Sequence, residues 1–99
     1  MSNTEKDDEY YDRADEIIHL ANDQCNNAPK GKVSSSLLFA TARFNAYVVS
    51  STTSGVEELI ERRQEAIDYF LEQYKIGLED NLDDYINNYS KYMSNDENT

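Results

Sequence analysis

The chain has 99 residues, with 20 acidic against nine basic side chains and a formal net charge of −11; this size fits one domain with a modest core and leaves no room for a second. Hydrophobic content is low at 38%, but eight tyrosines and three phenylalanines supply packing surface that a disordered acidic chain lacks, so the sequence reads as folded. No apolar run approaches the ~20 residues that cross a bilayer, no basic and apolar leader opens the chain, and the single Cys25 forms no internal disulfide, so the cytoplasm is the expected compartment.

Charge is segregated along the chain. Every acidic residue lies in 5–23 or 57–97, whereas 24–56 has none and carries Lys30, Lys32 and Arg43. The acidic stretches repel phosphates, so direct nucleic-acid binding is not expected.

The first predicted element is a helix over about 7–26. Tyr10, Tyr11, Ala14, Ile17, Ile18, Ala21 and Cys25 recur at three- and four-residue steps, with Asp12, Asp15, Glu16, His19 and Asp23 on the other side. Asp7, Asp8 and Glu9 stand at its start, where carboxylates accept free N–H groups and complement the helix dipole. Asn26, Asn27, Ala28 and Pro29 end it. Cys25 reads as a packing residue rather than a nucleophile, since one histidine is all the chain has to activate it. Glu16 and His19 form an E-x-x-H pair, but helical di-iron sites need two such pairs and further inward glutamates. His19 therefore reads as a surface histidine, not a metal ligand.

PKGKVSSS at 29–36 carries two lysines and three serines before the next helix. A phosphate-binding loop needs glycine where Asn26 stands, a hydroxyl residue where Val33 stands and a strand before it. The spacing predicts instead a helix over 34–51 with Ser34 as N-cap and a hydrophobic staple between Val33 and Leu38. Free N–H groups at Ser35 and Ser36, with Lys30, Lys32, Ser34 and Arg43 nearby, form the candidate anion-binding set. The competing reading is a flexible loop plus cap. SSSLLFATARFNAYVVSS is apolar around most of its circumference, with small alanines that admit close neighbours, so this is the expected most buried helix. Arg43 and Asn45 within it need partners if buried: Asp15 or Glu65 for Arg43, a neighbouring helix for Asn45.

Residues 51–55 form a short turn, and Ser54 with Glu57 has the spacing of a capping box opening a third helix. From Val56 to Met93 the apolar residues keep one broad face with no change of phase at Gly77, which predicts one helix of roughly 37 residues and ~55 Å. The alternative is a break at Gly77 and a fourth helix folded back. The expected fold is all-α, two shorter helices packed on one long C-terminal helix. Shorter helices leave part of the long one bare: Leu78, Leu82, Tyr85, Ile86, Tyr89 and Met93, a stripe that a soluble monomer rarely exposes. Self-association through that stripe is expected. Acidic pairs such as Asp83 with Asp84 read as a solvated helix face, without the oxygen-rich loop that a cation needs. The polar ends, 1–6 and 94–99, are expected to fray.

YYDRADEIIHLAN at 10–22, GKVSSSLLFATARFNAYV at 31–48 and EAIDYFLEQYKIGLEDNLDDYINNY at 65–89 together resemble a family of short acidic bacterial proteins, mainly proteobacterial, catalogued as a domain of unknown function. The resemblance implies a bacterial, cytoplasmic, helical protein. It brings no activity or ligand to any residue.

No nucleophile and base pair by motif, and neither a cofactor fingerprint nor a metal-ligand pattern is present, so no enzymatic role is expected. The expected role is a protein-interaction or regulatory module, a homodimer whose acidic helices and tyrosines meet a basic protein partner; mimicry of nucleic acid is a variant of this. The alternative is a sensor of a small anionic ligand at Lys30, Lys32 and Arg43. No membrane partner is expected.

Overall fold

A computed structural model describes residues 6–94. The fraying expected at 1–6 and 94–99 falls, apart from Lys6 and Ser94, outside these residues. Four helices follow one another: α1 (Tyr10–Gln24), α2 (Lys30–Ser51), α3 (Val56–Asn87) and α4 (Tyr89–Met93). The protein is all-α with one long C-terminal helix, and no strand occurs among the described residues. Two compact units divide between Ser51 and Thr52.

In the first unit α1 and α2 pack against each other across the link 25–29. The acids before α1 do not cap it: Glu9 makes no side-chain cap bond. Asp7 reaches forward instead, and Arg13 Nη2 donates to its Oδ1 at 2.9 Å. That guanidinium holds the Asp7 carboxyl below the usual carboxylate range. Both groups are more than half exposed, so water screens the pair and its weight in stability is small. At the other end the N–H groups of Cys25, Asn26 and Asn27 bond to the carbonyls three residues back, at 3.0 to 3.1 Å. These tight bonds satisfy carbonyls that the end of a helix would otherwise leave free.

Ser34 is not the N-cap of α2, because the helix opens four residues earlier. The Pro29 carbonyl accepts from the N–H groups of Lys32 at 3.0 Å and Val33 at 3.2 Å. Proline explains the shift: its φ is already helical, the N–H it lacks would have had no partner, and it biases the preceding Ala28 away from helix. Gly31 costs about 1 kcal/mol relative to alanine in a helix interior, too little to keep Lys30 and Lys32 in a loop. Later in α2 the hydroxyls of Thr41, Ser50 and Ser51 donate back to the carbonyls of Leu37, Ala46 and Val48. Such back-bonding lets hydroxyl side chains remain in a helix.

The buried core among the described residues is Val49, 5% exposed, with Leu37 and Val48 of α2 and Ala14 and Ala21 of α1 half-buried. The expectation that α2 is buried around most of its circumference is corrected by Phe39, Phe44 and Tyr47, which are 64–70% exposed. A single helix partner within the unit covers only one side of α2.

The second unit begins with a polar clasp. Gly55 stands at the N-cap of α3, and its carbonyl accepts the Leu59 N–H at 3.2 Å. The capping box expected of Ser54 and Glu57 does not form: the cap is glycine, without a side-chain cap bond, and the residue that reaches back, to Ser54 just before the cap, is the third helical residue, Glu58. Its Oε1 accepts from both the N–H and the hydroxyl of Ser54, each at 2.9 Å. These bonds, with Arg62 at 3.6 Å, hold the Glu58 carboxyl below its usual range. Arg62 also donates to Thr52 Oγ1 at 3.0 Å, so one guanidinium ties the turn to the second turn of the helix.

α3 runs unbroken through Gly77. Interruption comes at Asn88, with φ −128° and ψ 31°. Its side-chain Nδ2 donates to the Asp84 carbonyl and to Asp84 Oδ1 at 3.1 and 2.9 Å, and the helix restarts when Tyr92 N–H bonds the Asn88 carbonyl at 3.1 Å. Asparagine competes well for nearby backbone groups, which disfavours it inside a helix.

A Cβ built at Gly77 meets nothing within 4 Å. Gly77→Ala is accordingly expected to stabilise the protein by about 0.5–1 kcal/mol, seen as a higher urea midpoint with an unchanged slope. A lower midpoint would mean that the helix bends or is closely approached at this position.

Candidate functional site

The four residues of the anticipated anion site all lie on α2. Lys30 and Lys32 occupy its first turn, Ser34 its second, and Ser35 and Ser36 are inside the helix. Eleven residues separate Lys32 from Arg43, which on a helix places them about 20° apart on one face and about 16 Å apart along the axis. Lys30 falls on another side of the same helix. Lys32 and Arg43 thus share a face without forming one small cradle. Arg43 is exposed and makes no ion pair with Asp15 among the described residues; a guanidinium in water needs none. Asn45 is half-buried.

The sides of α2 and α3 that remain open are more informative. On α2, Phe39 and Tyr47 lie on either side of Arg43, each four residues away and about 40° around the helix, and Phe44 stands at the edge of the same face with its ring 6.0 Å from that of Tyr47. The face carries two cations, three exposed aromatic rings and no acid. The sequence reading assigned these rings to a core, because an apolar position on a helix looks alike whether a partner covers it or not.

On α3, Ile60, Leu71, Tyr74, Leu78, Leu82 and Tyr85 fall within an arc of about 80° and are 43–65% exposed. The anticipated stripe is therefore the second half of a longer one that already begins near Ile60. Ile86 lies at its edge and is exposed. Tyr89 and Met93 belong to α4, beyond the interruption at Asn88; Tyr89 is exposed and Met93 half-buried. One side of the stripe is bordered by exposed acids, among them Glu61, Asp68, Glu72 and Glu79, with Lys75 as the cation on that border.

The C-terminal end of the stripe is held by a tyrosine pair. The rings of Tyr85 and Tyr92 are 4.6 Å apart, and the Tyr92 hydroxyl donates to Asp84 Oδ2 at 2.8 Å. That bond to a carboxylate raises the Tyr92 pKa above the ordinary phenol value. Among the described residues no group of three or more His, Cys, Asp or Glu could hold a metal ion. Glu16 and His19 are both exposed. No helix among these residues is long and apolar enough to cross a membrane.

The family model described as "Protein of unknown function (DUF3144)" matches residues 10–86. Among solved structures, the chain is similar to the NMR structure of the protein NB7890A from a Shewanella species. The two are 38% identical with a TM-score of 0.72, and the match covers 89% of this chain and 94% of that one. No curated protein matches.

Tyr92→Phe tests the hook at the end of the stripe. A phenol pKa raised by folding contributes stability that is fully present below its unfolded value, about 10, and is lost as pH rises through the folded value. The variant is expected to be less stable than wild type at neutral pH, the difference beginning to shrink at about pH 10 and vanishing as the pH passes the raised folded value. Urea midpoints across that range measure it, and a variant as stable as wild type at neutral pH would show that the ring contact with Tyr85, not the hydroxyl, does the holding.

Proposed function

The chain belongs to the DUF3144 family, and we propose that it is a non-enzymatic, cytoplasmic bacterial interaction module that works as a homodimer. In this reading the self-interface includes Leu78, Leu82, Tyr85, Ile86, Tyr89 and Met93, and the acidic outer faces remain free for a basic protein partner. One observation carries the proposal: the second unit leaves the stripe of its own long helix uncovered, with Leu82 54% and Ile86 71% exposed.

Two physical arguments support it. A helix of this kind draws most of its stability from packing an apolar face, not from propensity, so the stripe requires a cover. Tyrosine suits a contact that is part apolar and part wet, since its ring packs while its hydroxyl keeps a polar partner. With a charge of −11, association works against like-charge repulsion, so the apolar contact has to supply the attraction and salt should strengthen it.

Light scattering at moderate salt provides the test, on wild type and on Leu82→Glu with Tyr89→Glu. The expected result is a wild-type mass twice the chain mass and a folded monomer for the variant, its helicity retained by circular dichroism. A monomeric wild type at all salt concentrations would overturn the reading.

A further inference from the structure

Two open faces on the same chain are opposite in charge and alike in apolar character. We propose that they are each other's counterparts between two copies, α2 of each protomer lying along α3 of its partner. This rests on the self-association reading above and adds to it which surfaces meet.

Charge selects the pairing. The α2 face has Lys32 and Arg43 and no acid, whereas the α3 stripe is flanked on one side by Glu61, Asp68, Glu72 and Glu79, with Lys75 beside them and Arg63 on the opposite side. An α3 stripe set against its own copy in antiparallel fashion would bring acidic border against acidic border, and like charges in juxtaposition suppress a complex. Two α2 faces would oppose their cations in the same way.

Spacing agrees with charge. Lys32 and Arg43 are eleven residues apart, and the α3 border repeats that interval twice, in Glu61 with Glu72 and in Asp68 with Glu79. Eleven residues are three turns with a net rotation of about 20°, so both cations can meet both acids of either pair along adjacent helices. Phe39 lies between the two cations, and Phe44 and Tyr47 lie within about one turn beyond Arg43; in this pairing the rings lie along the α3 aliphatic side chains.

Area points to a reciprocal contact. Three aromatic side chains of about 200 Å² each, two-thirds exposed, present about 400 Å²; a standard interface takes about 800 Å² from each partner. The α2 face alone falls short of that. If α2 of each copy covers α3 of the other, both faces of both chains are buried, and Tyr74 and Tyr85 add about 200 Å² before the aliphatic residues are counted. Such an exchange is closed by a two-fold axis, with the same contact made twice.

Charge reversal and rescue tests the pairing, using full-length chains with Cys25→Ser throughout. One chain carries Lys32→Glu and Arg43→Glu; a second carries Glu61→Lys and Glu72→Lys, and a third Asp68→Lys and Glu79→Lys. All the charge-reversed positions are exposed and Cys25, half-buried, is replaced by the near-isosteric serine, so folding should persist, and circular dichroism checks it. The first chain alone and the matching acid-reversed chain alone are each expected to dimerise roughly tenfold or more weakly than the parent. Their equimolar mixture should recover the parent affinity, because both contacts of the mixed dimer then pair opposite charges.

Sedimentation or light scattering reads each case. A parent dimer whose mass none of the reversals alters, or whose loss neither mixture restores, overturns the α2–α3 pairing while leaving self-association standing. A monomeric parent overturns both. As a second reading, Phe44→Cys and Leu78→Cys on separate, differently tagged chains should form a mixed disulfide on oxidation. Self-linked Leu78→Cys chains alone would assign the stripe to its own copy instead.

Discussion

A helix of 32 residues held in place by little of its own unit is the constraint from which the rest of this protein follows. Isolated helices in water are marginal, and the apolar side of an amphipathic one becomes stabilising only when something removes it from solvent. α3 has local devices at both ends, the Ser54, Glu58, Arg62 and Thr52 clasp at its start and the Asp84, Asn88 and Tyr92 hook at its finish. Each fixes where the helix begins or ends. None covers the stripe between Ile60 and Tyr85, and capping bonds of this exposed kind are small beside the burial of six large apolar side chains.

Electrostatics acts on the same problem from the other direction. A chain with a net charge of −11, acids at both ends of its sequence and none between 24 and 56 repels its own copies, and under the proposed pairing that repulsion is least where α2 meets an acidic neighbour. Hydrophobic burial is non-directional and would accept many arrangements of these helices; charge narrows them. In the proposed pairing Lys32 and Arg43 of α2 are selectors of the contact rather than a pocket for a small anion. The α-helix explains why: it carries Arg43 three turns away from Lys32 while returning it to the same face.

Much of this could be read before any coordinates. The all-α class, the order and approximate extent of the helices, and the continuity of α3 through Gly77 come from periodicity, which depends only on the residues themselves. Details of the ends were less legible. Pro29 started α2 where Ser34 was expected to, since a proline's fixed φ acts at once on the chain that follows. Glu58 took the place of Glu57 because the cap fell on Gly55 and moved the third helical position by one residue. Asn88 stopped α3 inside a stretch whose apolar spacing continued, and the signal available was the Asn87–Asn88 pair itself.

What the sequence determined alone is therefore local and periodic: which segments are helical, which side of each is apolar, and how charge is distributed among them. Only the tertiary structure decided which apolar sides are covered within each unit and which stand open, because burial is a property of a neighbour and not of a residue. Phe39, Phe44 and Tyr47 have the spacing of core residues and are exposed, while Val49, two positions beyond Tyr47, is buried. Two residues turn a helix by about 200°, from the open side to the covered one, and nothing in the pattern says which side a partner will take.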